Sequence, residues 1–176
     1  RTCKTFDKEG WVLHCSSVSK SLAPGYRIGW VIPGRFTDQL KRLKLMHTLT
    51  GTSITQQAMA HFLSIGRYEY HLKKLRSALH THHLRYVQGI LEYFPEDTKV
   101  SRPQGGFVLW LELNKKINAF RLYQEAMKYK ISIAPGRIFS ATDQFNHYLR
   151  MGYGVPWDEK MERGVKILGE LVKKMS

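Results

Sequence analysis

The fold of this chain is decided by one stretch, Ser17-Val18-Ser19-Lys20-Ser21-Leu22-Ala23-Pro24-Gly25-Tyr26-Arg27. Short apolar runs with β-branched and aromatic side chains flank it and predict two strands, over residues 11–16 and 27–32. Pro24 and Gly25 predict a turn between them. The connection therefore carries hydroxyl, amine and guanidinium groups within eleven residues.

These groups suit a ligand that has both an aldehyde and a phosphate. A deprotonated lysine amine forms a Schiff base with an aldehyde, and burial or a nearby cation favours that amine. Serine hydroxyls and the planar arginine fork donate to phosphate oxygens. Pyridoxal phosphate carries both groups, so Ser17, Lys20 and Arg27 predict a site for it. From spacing alone, the alternative is an ordinary strand, turn and strand with Lys20 exposed to solvent.

The stretch closely resembles the lysine motif of fold-type I pyridoxal-phosphate enzymes of the class I/II aminotransferase group, S-x-S-K-x-x-x-P-G-x-R-x-G-W. The resemblance implies that Lys20 is the Schiff-base lysine. It also implies that Ser17, Ser19 and Arg27 bind the cofactor, with Ser17 and Arg27 on its phosphate.

A second motif, Pro103-x-Gly105-Gly106-Phe107-x-x-Trp110, resembles the P-x-G-G-x-F-x-W segment of the same family, with one residue fewer before the phenylalanine. The resemblance implies that Gly105 and Gly106 let the backbone approach the substrate. Glycine suits this role because it has no side chain and tolerates positive φ. Without the resemblance, an ordinary hairpin turn is the alternative.

A third motif, Ile133-Ala134-Pro135-Gly136-x-x-Phe139, resembles the family's V-x-x-P-G-x-x-F loop. The resemblance then implies that Arg150 binds the substrate carboxylate, for which a bidentate guanidinium is better suited than a lysine. Taken alone, Arg150 is a surface residue on an edge strand. The family's dimers also imply that Thr52 or Ser53 reaches the phosphate of a partner subunit.

The resemblance implies an α/β fold that is the C-terminal part of a pyridoxal-phosphate-dependent transferase. Residues 1–66 would end the large domain, residues 67–95 would form the inter-domain helix, and residues 96–176 would form an α+β small domain. Groups that the family places upstream of the lysine, such as the Asp on the pyridine nitrogen, have no counterpart here. We therefore expect the fragment alone to be inactive.

Periodicity and stop signals predict the remaining elements. Helices are predicted over 36–47, 54–64, 68–94, 119–129 and 157–174, and strands at Val100 and over 107–113, 131–134 and 148–151. The predicted arrangement of the last part is one sheet with helices packed on one face.

Composition bounds the class of protein. With 176 residues and 43% hydrophobic content, the chain is expected to be globular, and no apolar stretch approaches the ~20 residues needed to cross a bilayer. The first residue is not Met and there is no signal peptide, so we expect a piece of a longer, cytoplasmic protein. Cys3 and Cys15 form no metal pattern, and Cys15 is predicted to be a small core residue. The histidines predict no metal site either.

A net charge of +14 favours anionic partners. The simplest explanation is that the basic residues lie on solvated helix faces, and the alternative is that they give the protein non-specific affinity for DNA.

Two functions stay open. Residues 19–30, 100–110 and 154–157 look most like the aminotransferase-like effector domain of MocR-type regulators of the GntR family, which would bind DNA through an upstream winged helix. The alternative is a free-standing class I/II aminotransferase acting on amino acids such as aromatic or 2-aminoadipate-like ones. Either resemblance implies a homodimer and no membrane. A basic DNA-binding module without a cofactor lacks a helix-turn-helix signature here.

Overall fold

The computed structural model describes all residues from Arg1 to Ser176, and the chain divides into two compact units, Arg1–Leu75 and Arg76–Ser176. The division falls within one long helix, α3 (Arg67–Tyr93). No helix of the chain combines the length and the hydropathy that a bilayer span requires.

The first unit consists of a two-stranded hairpin followed by helices. Strands β1 (His14–Ser17) and β2 (Gly29–Ile32) pair antiparallel, with Ser17 opposite Gly29. Helices α1 (Thr37–His47) and α2 (Ser53–Ser64) follow, and then the first turns of α3. Gly66, with φ of +69°, lies between α2 and α3, where glycine tolerates the left-handed backbone of a helix end.

Both strands are shorter than predicted, for identifiable reasons. The Asp7 carboxylate accepts the backbone N–H groups of Trp11 and Val12, at 2.9 and 3.0 Å, so these residues precede β1. Arg27 has φ of +53° and ψ of +36°, which is left-handed backbone and interrupts an extended strand before β2 begins.

The prediction that Cys15 is a core residue is wrong, because its side chain is exposed. None of the residues of β1 or β2 is buried, and α1 buries none of its residues either. Val18 and Met59 are the buried hydrophobic residues of this unit. An apolar run predicts a strand from its own residues, but whether its faces are covered depends on what else packs there.

The second unit contains an antiparallel sheet in the order β3-β4-β6-β5, formed by β3 (Lys99–Val100), β4 (Val108–Glu112), β5 (Ala134–Pro135) and β6 (Tyr148–Gly152). Helix α4 (Ala119–Lys128) lies between β4 and β5 in sequence, and α5 (Glu159–Met175) ends the chain. The Asn118 and Asp158 side chains cap the first turns of α4 and α5 by accepting backbone N–H groups.

The core of this unit lies between one face of the sheet and the helices. Leu109 and Leu111 of β4 and Leu149 of β6 point to that face because side chains alternate along a strand. Facing them are buried residues of the helices: Tyr86, Ile90, Leu122, Ala126, Val165, Leu168 and Val172. Helices and sheet therefore form the two layers that the sequence predicts.

The strand predicted over residues 131–134 is wrong for most of its length, since only Ala134 and Pro135 pair with β6. The backbone N–H of Ile131 donates to the carbonyl of Ala126, 3.1 Å away, and Lys130 has φ of +61°. These are features of a helix C-terminus, so residues 131–133 serve as the exit from α4 and do not join the sheet.

Candidate functional site

The loop that carries Lys20 connects β1 to β2. Beyond the last strand pair, the backbone N–H of Val18 donates to the carbonyl of Ile28 at 3.1 Å. The carbonyl of Val18 then accepts the N–H groups of Leu22 and Ala23, which wraps residues 18–22 into one helical turn. This turn holds the backbone of Lys20 within the same loop as Arg27.

The predicted phosphate-binding residues border this loop. Ser17 is the last residue of β1, Ser19 begins the turn, and Arg27 follows a 3₁₀ turn over Pro24–Tyr26. Ser17, Lys20 and Arg27 are all exposed. The left-handed conformation of Arg27 costs roughly 1–2 kcal/mol for a residue with a side chain. Such strain is typical of functional loops.

Two residues at the start of α3 anchor the loop, and no motif in the sequence predicts either of them. The Ser21 and Tyr68 hydroxyls lie 2.8 Å apart, and His71 Nε2 lies 2.8 Å from the carbonyl oxygen of Ser21. Because a carbonyl oxygen only accepts, Nε2 of His71 must carry the proton in this contact. Phe62 packs edge-on against both Tyr68 and His71, with ring centres 6.4 and 6.5 Å away.

The segment that leads into β1 is braced by Asp7. Its carboxylate accepts from the Lys4 ammonium at 2.8 Å as well as from two backbone amides. The hydrogen bond from Lys4, followed by the amides of Val12 and Trp11, lowers the pKa of Asp7 from 3.8 to about 2. Lys4 also donates to the carbonyl of Val12 at 3.0 Å, which closes the brace.

Thr52 and Ser53 lie at the N-terminus of α2, and both are exposed. The Thr52 side chain makes no capping hydrogen bond to α2. The first N–H groups of the helix are therefore not satisfied by that side chain.

In the second unit, the Gly105–Gly106 loop leads into β4 beside the end of β6. Gly106 has φ of +85°, and no atom lies within 4 Å of where a Cβ would be placed on either glycine. The buried Tyr153 holds the loop: its hydroxyl donates to the carbonyl of Gly106 at 2.9 Å, and its N–H donates to the carbonyl of Phe107 at 2.8 Å. Burial raises the pKa of the Tyr153 phenol.

Arg150 lies on β6 opposite Trp110 of β4, on the sheet face that is turned away from the helices. Its guanidinium carbon lies 4.6 Å from the centre of the Phe139 ring. Trp110 packs against three aromatic rings, Phe139, Phe145 and Tyr148, with centres 5.6–5.7 Å away. An exposed cation thus borders an aromatic surface, which suits a carboxylate attached to an apolar group.

The residues predicted from the motifs form two groups. Ser17, Ser19, Lys20 and Arg27 belong to one hairpin loop of the first unit. Gly105, Gly106 and Arg150 belong to the second unit, where the glycines lead into β4 and Arg150 lies in the middle of the neighbouring strand β6. Nowhere do three or more His, Cys, Asp or Glu residues gather as a metal site would require.

Comparison with known families agrees with these motifs. The family model for aminotransferase class I and II matches residues 2–168. The chain belongs to the class I and II aminotransferase family. The match includes both the lysine loop and strand β6 with Arg150.

Curated relatives of this aminotransferase-family chain include regulators and enzymes. The HTH-type transcriptional regulator YdcR of Escherichia coli is 41% identical over 170 residues, which are 97% of this chain and 36% of that protein. YjiR, an HTH-type regulator of the same organism, is 38% identical over 98% of this chain and 37% of that protein. The aminotransferase SSO0104 of Saccharolobus solfataricus is 30% identical over 97% of this chain and 43% of that protein. The chain thus spans well under half of these relatives.

Solved structures share the fold. A kynurenine aminotransferase of Pyrococcus horikoshii, solved in complex with PMP, matches with a TM-score of 0.89 and 26% identity over 97% of this chain and 43% of that chain. The α-aminoadipate aminotransferase LysN of Thermus thermophilus, complexed with N-(5'-phosphopyridoxyl)-L-leucine, matches with a TM-score of 0.85 and 25% identity over 93% and 42%. The prediction of a C-terminal part of an aminotransferase fold is confirmed.

Proposed function

We propose that this chain is the C-terminal part of a pyridoxal-phosphate-binding aminotransferase-like domain, in which Lys20 holds the cofactor. The observation that carries the proposal is the hairpin loop, which fixes an amine, hydroxyls and a guanidinium within one hydrogen-bonded segment. In the same proposal, residues 1–66 end the large domain, residues 67–95 form the inter-domain helix and residues 96–176 form the small domain.

The chemistry of the loop fits this cofactor. Ser17 and Ser19 offer hydroxyl donors and Arg27 a planar fork of N–H donors, which together suit a phosphate dianion. No atom lies within 4 Å of where a Cβ would be placed on Gly25, so space remains beside the loop. When bound, pyridoxal phosphate supplies an aldehyde for the lysine amine and an electron sink for reactions of amino acids.

Each residue then has a stated task. Lys20 would hold the cofactor, and its amine would be the group that accepts or donates a proton in reactions of a bound amino acid. Arg27 orients the phosphate. Tyr68 and His71 hold the loop in place through Ser21, and so act as positioning residues.

We propose that the surface around Arg150 in the second unit binds the amino acid. Arg150 would bind the carboxylate through paired N–H···O bonds. Gly105 and Gly106 would leave space for the ligand, and Tyr153 would fix their backbone. The aromatic surface beside Arg150 favours a ligand with an apolar side chain.

For the whole protein, we propose a cytoplasmic, homodimeric transcriptional regulator of the MocR type, with DNA bound by a domain outside these 176 residues. The support is that YdcR and YjiR, at 41% and 38% identity, are both HTH-type regulators. A net charge of +14 agrees with binding near a polyanion. The second candidate is an amino-acid aminotransferase, which the 30% identity to SSO0104 supports.

The cofactor proposal is tested by the visible absorption band of the full-length protein that contains this chain, with added pyridoxal phosphate. Lys20→Ala is expected to abolish the band of the covalently bound cofactor, while Lys41→Ala, on the exposed surface of α1, keeps it. Arg27→Ala is expected to weaken cofactor affinity by about 1.5–3 kcal/mol, the usual loss for a hydrogen bond to a charged group. Arg42→Ala is the matched control. An unchanged band in Lys20→Ala refutes the proposal.

The residues that precede Arg1 separate the two functions. A winged-helix sequence there, together with salt-sensitive binding of the full-length protein to a DNA duplex, supports the regulator. A start directly in the aminotransferase fold, with transamination of an amino acid, supports the enzyme.

A further inference from the structure

The second unit has a groove to which the proposed function assigns no ligand, although Arg150 lies at its border. It has a volume of about 940 Å³ and lies between the segment Tyr129–Ala134, the end of β6 and one side of α5. We call it the basic groove. Its apolar wall is formed by Phe107, Ile131, Ile133, Met151, Met161, Val165, Ile167 and Leu168. A groove of this size is in the range that holds a small molecule.

The basic groove is lined by residues of both faces of the sheet: Met151 lies on the helix face, and Val108 and Arg150 lie on the face that carries the aromatic surface. Met151 and Leu149 point to the same face because they are two residues apart on β6, and Leu149 is buried in the core. Arg150 borders the groove, but its guanidinium lies over the Phe139 ring. The groove and the surface proposed to bind the amino acid therefore share Arg150, whereas Lys130, Lys160 and Arg163 line the groove and are not part of that surface.

The charges that border the groove have one sign. Lys130, Lys160 and Arg163 are all exposed and all line it, and no Asp or Glu is among the lining residues. Lys160 and Arg163 are three residues apart on α5, so they lie on one side of the helix. The acidic residues Glu159 and Glu162 of the same helix do not line the groove. An occupant with an anionic head next to an apolar body matches this arrangement.

The groove owes part of its depth to a glycine. Gly164 lies within α5 and lines the groove, and no atom lies within 4 Å of where its Cβ would be placed. Glycine inside a helix is unfavourable relative to alanine, and neither a turn nor a close backbone contact requires it here. The space above Gly164 is therefore open for an occupant.

We propose that the basic groove binds a small organic anion with an apolar body, such as an aromatic or aliphatic carboxylate or sulfonate. The apolar wall takes the body, and Lys130, Lys160 and Arg163 bind the anionic group at the rim. This proposal does not depend on the binding of a cofactor at Lys20.

The test uses two fluorescent probes with the same rings, the anion 8-anilinonaphthalene-1-sulfonate and the neutral N-phenyl-1-naphthylamine, titrated into the full-length protein. Gly164→Leu fills the groove and is expected to weaken binding of both probes about ten-fold or more. Gly164→Ala adds one methyl group in open space and is expected to keep binding of both probes and to leave the unfolding midpoint unchanged or higher.

The charge is tested by the double variant Lys160→Glu/Arg163→Glu, with Lys166→Glu on the outer side of α5 as the control. The double variant is expected to weaken the sulfonate about ten-fold or more and the neutral probe less than about two-fold, while the control changes neither. If the affinity for both probes is the same in Gly164→Leu as in the unchanged protein, the probes bind another apolar surface or another part of the protein covers the groove. That result overturns the proposal, as does equal sensitivity of both probes to the charge reversal.

Discussion

The hydroxyl of Tyr153 is expected to stabilise the glycine loop that precedes β4. Tyr153→Phe removes only the oxygen that donates to the carbonyl of Gly106 at 2.9 Å. The backbone bond from Tyr153 to Phe107 and the packing of the ring in the core remain. The variant thus isolates a single hydrogen bond between the core and a proposed ligand-binding loop.

The magnitude follows from where the two partners lie. Tyr153 is 3% exposed, so its hydroxyl does not compete freely with water, whereas Gly106 is exposed and its released carbonyl can bind water. The full penalty for an unsatisfied buried group is therefore avoided, and we expect a loss of about 1 kcal/mol in the free energy of unfolding, within about 0.5–1.5 kcal/mol. That is roughly a five-fold change in the ratio of folded to unfolded protein.

Urea unfolding followed by circular dichroism measures this difference, with Tyr129→Phe as the control because the Tyr129 side chain is 53% exposed. Hydrogen exchange should show faster opening at the Tyr153 amide in the Tyr153→Phe variant. A loss no larger than that of the control would refute the argument that this bond holds the loop. A loss above about 3 kcal/mol would also refute it, since it would require more than one hydrogen bond.

Three further predictions concern the loops and the brace before β1. Gly106→Ala is expected to destabilise the fold by about 1–2 kcal/mol because φ of Gly106 is +85°. Gly105→Ala, at a position without a positive φ, is expected to change stability by less than about 0.5 kcal/mol. Thermal unfolding compares the two variants, and equal effects would contradict the argument from backbone strain at Gly106. The stabilisation from the Asp7 carboxylate is expected to be fully present above its ordinary pKa of 3.8 and to be lost as pH falls towards about 2. In Asp7→Asn, the free energy of unfolding should therefore fall less steeply with decreasing pH in this range. The same pH dependence in both proteins would show that the hydrogen bonds of Asp7 do not stabilise the fold. Tyr68→Phe is expected to weaken cofactor binding by about 0.5–1.5 kcal/mol through the loss of its contact with Ser21, and an unchanged affinity would show that the loop needs no anchor.

Local sequence signals were sufficient for most of the helices. The sequence predicts a helix over 68–94, because periodic apolar positions lie between a glycine and Pro95, and the observed α3 spans Arg67–Tyr93. Strand β5 was predicted too long because Ile131–Ala134 has the composition of a strand. The hydrogen bond from Ile131 to Ala126 uses that backbone for the helix end, and composition does not reveal it.

The residues of the candidate site also fall into those that a local motif predicts and those that it does not. Ser17, Lys20 and Arg27 lie within eleven residues, so a contiguous motif predicts them. Tyr68 and His71 contact Ser21 across 47 and 50 residues, and Tyr153 contacts Gly106 across 47. The local sequence around a tyrosine or a histidine does not show which distant carbonyl or hydroxyl its side chain will contact. The prediction that Cys15 is buried is wrong for the same reason, because Cys15 lies in an apolar run whose faces are not covered in the first unit.

The most direct test of the account is to find which residue holds the cofactor. The full-length protein is loaded with pyridoxal phosphate, reduced with borohydride to make the link permanent, digested and mapped by mass spectrometry. The account predicts the pyridoxyl group on Lys20, in the peptide that lies between β1 and β2. A modification at another lysine, or none at saturating cofactor, would contradict it.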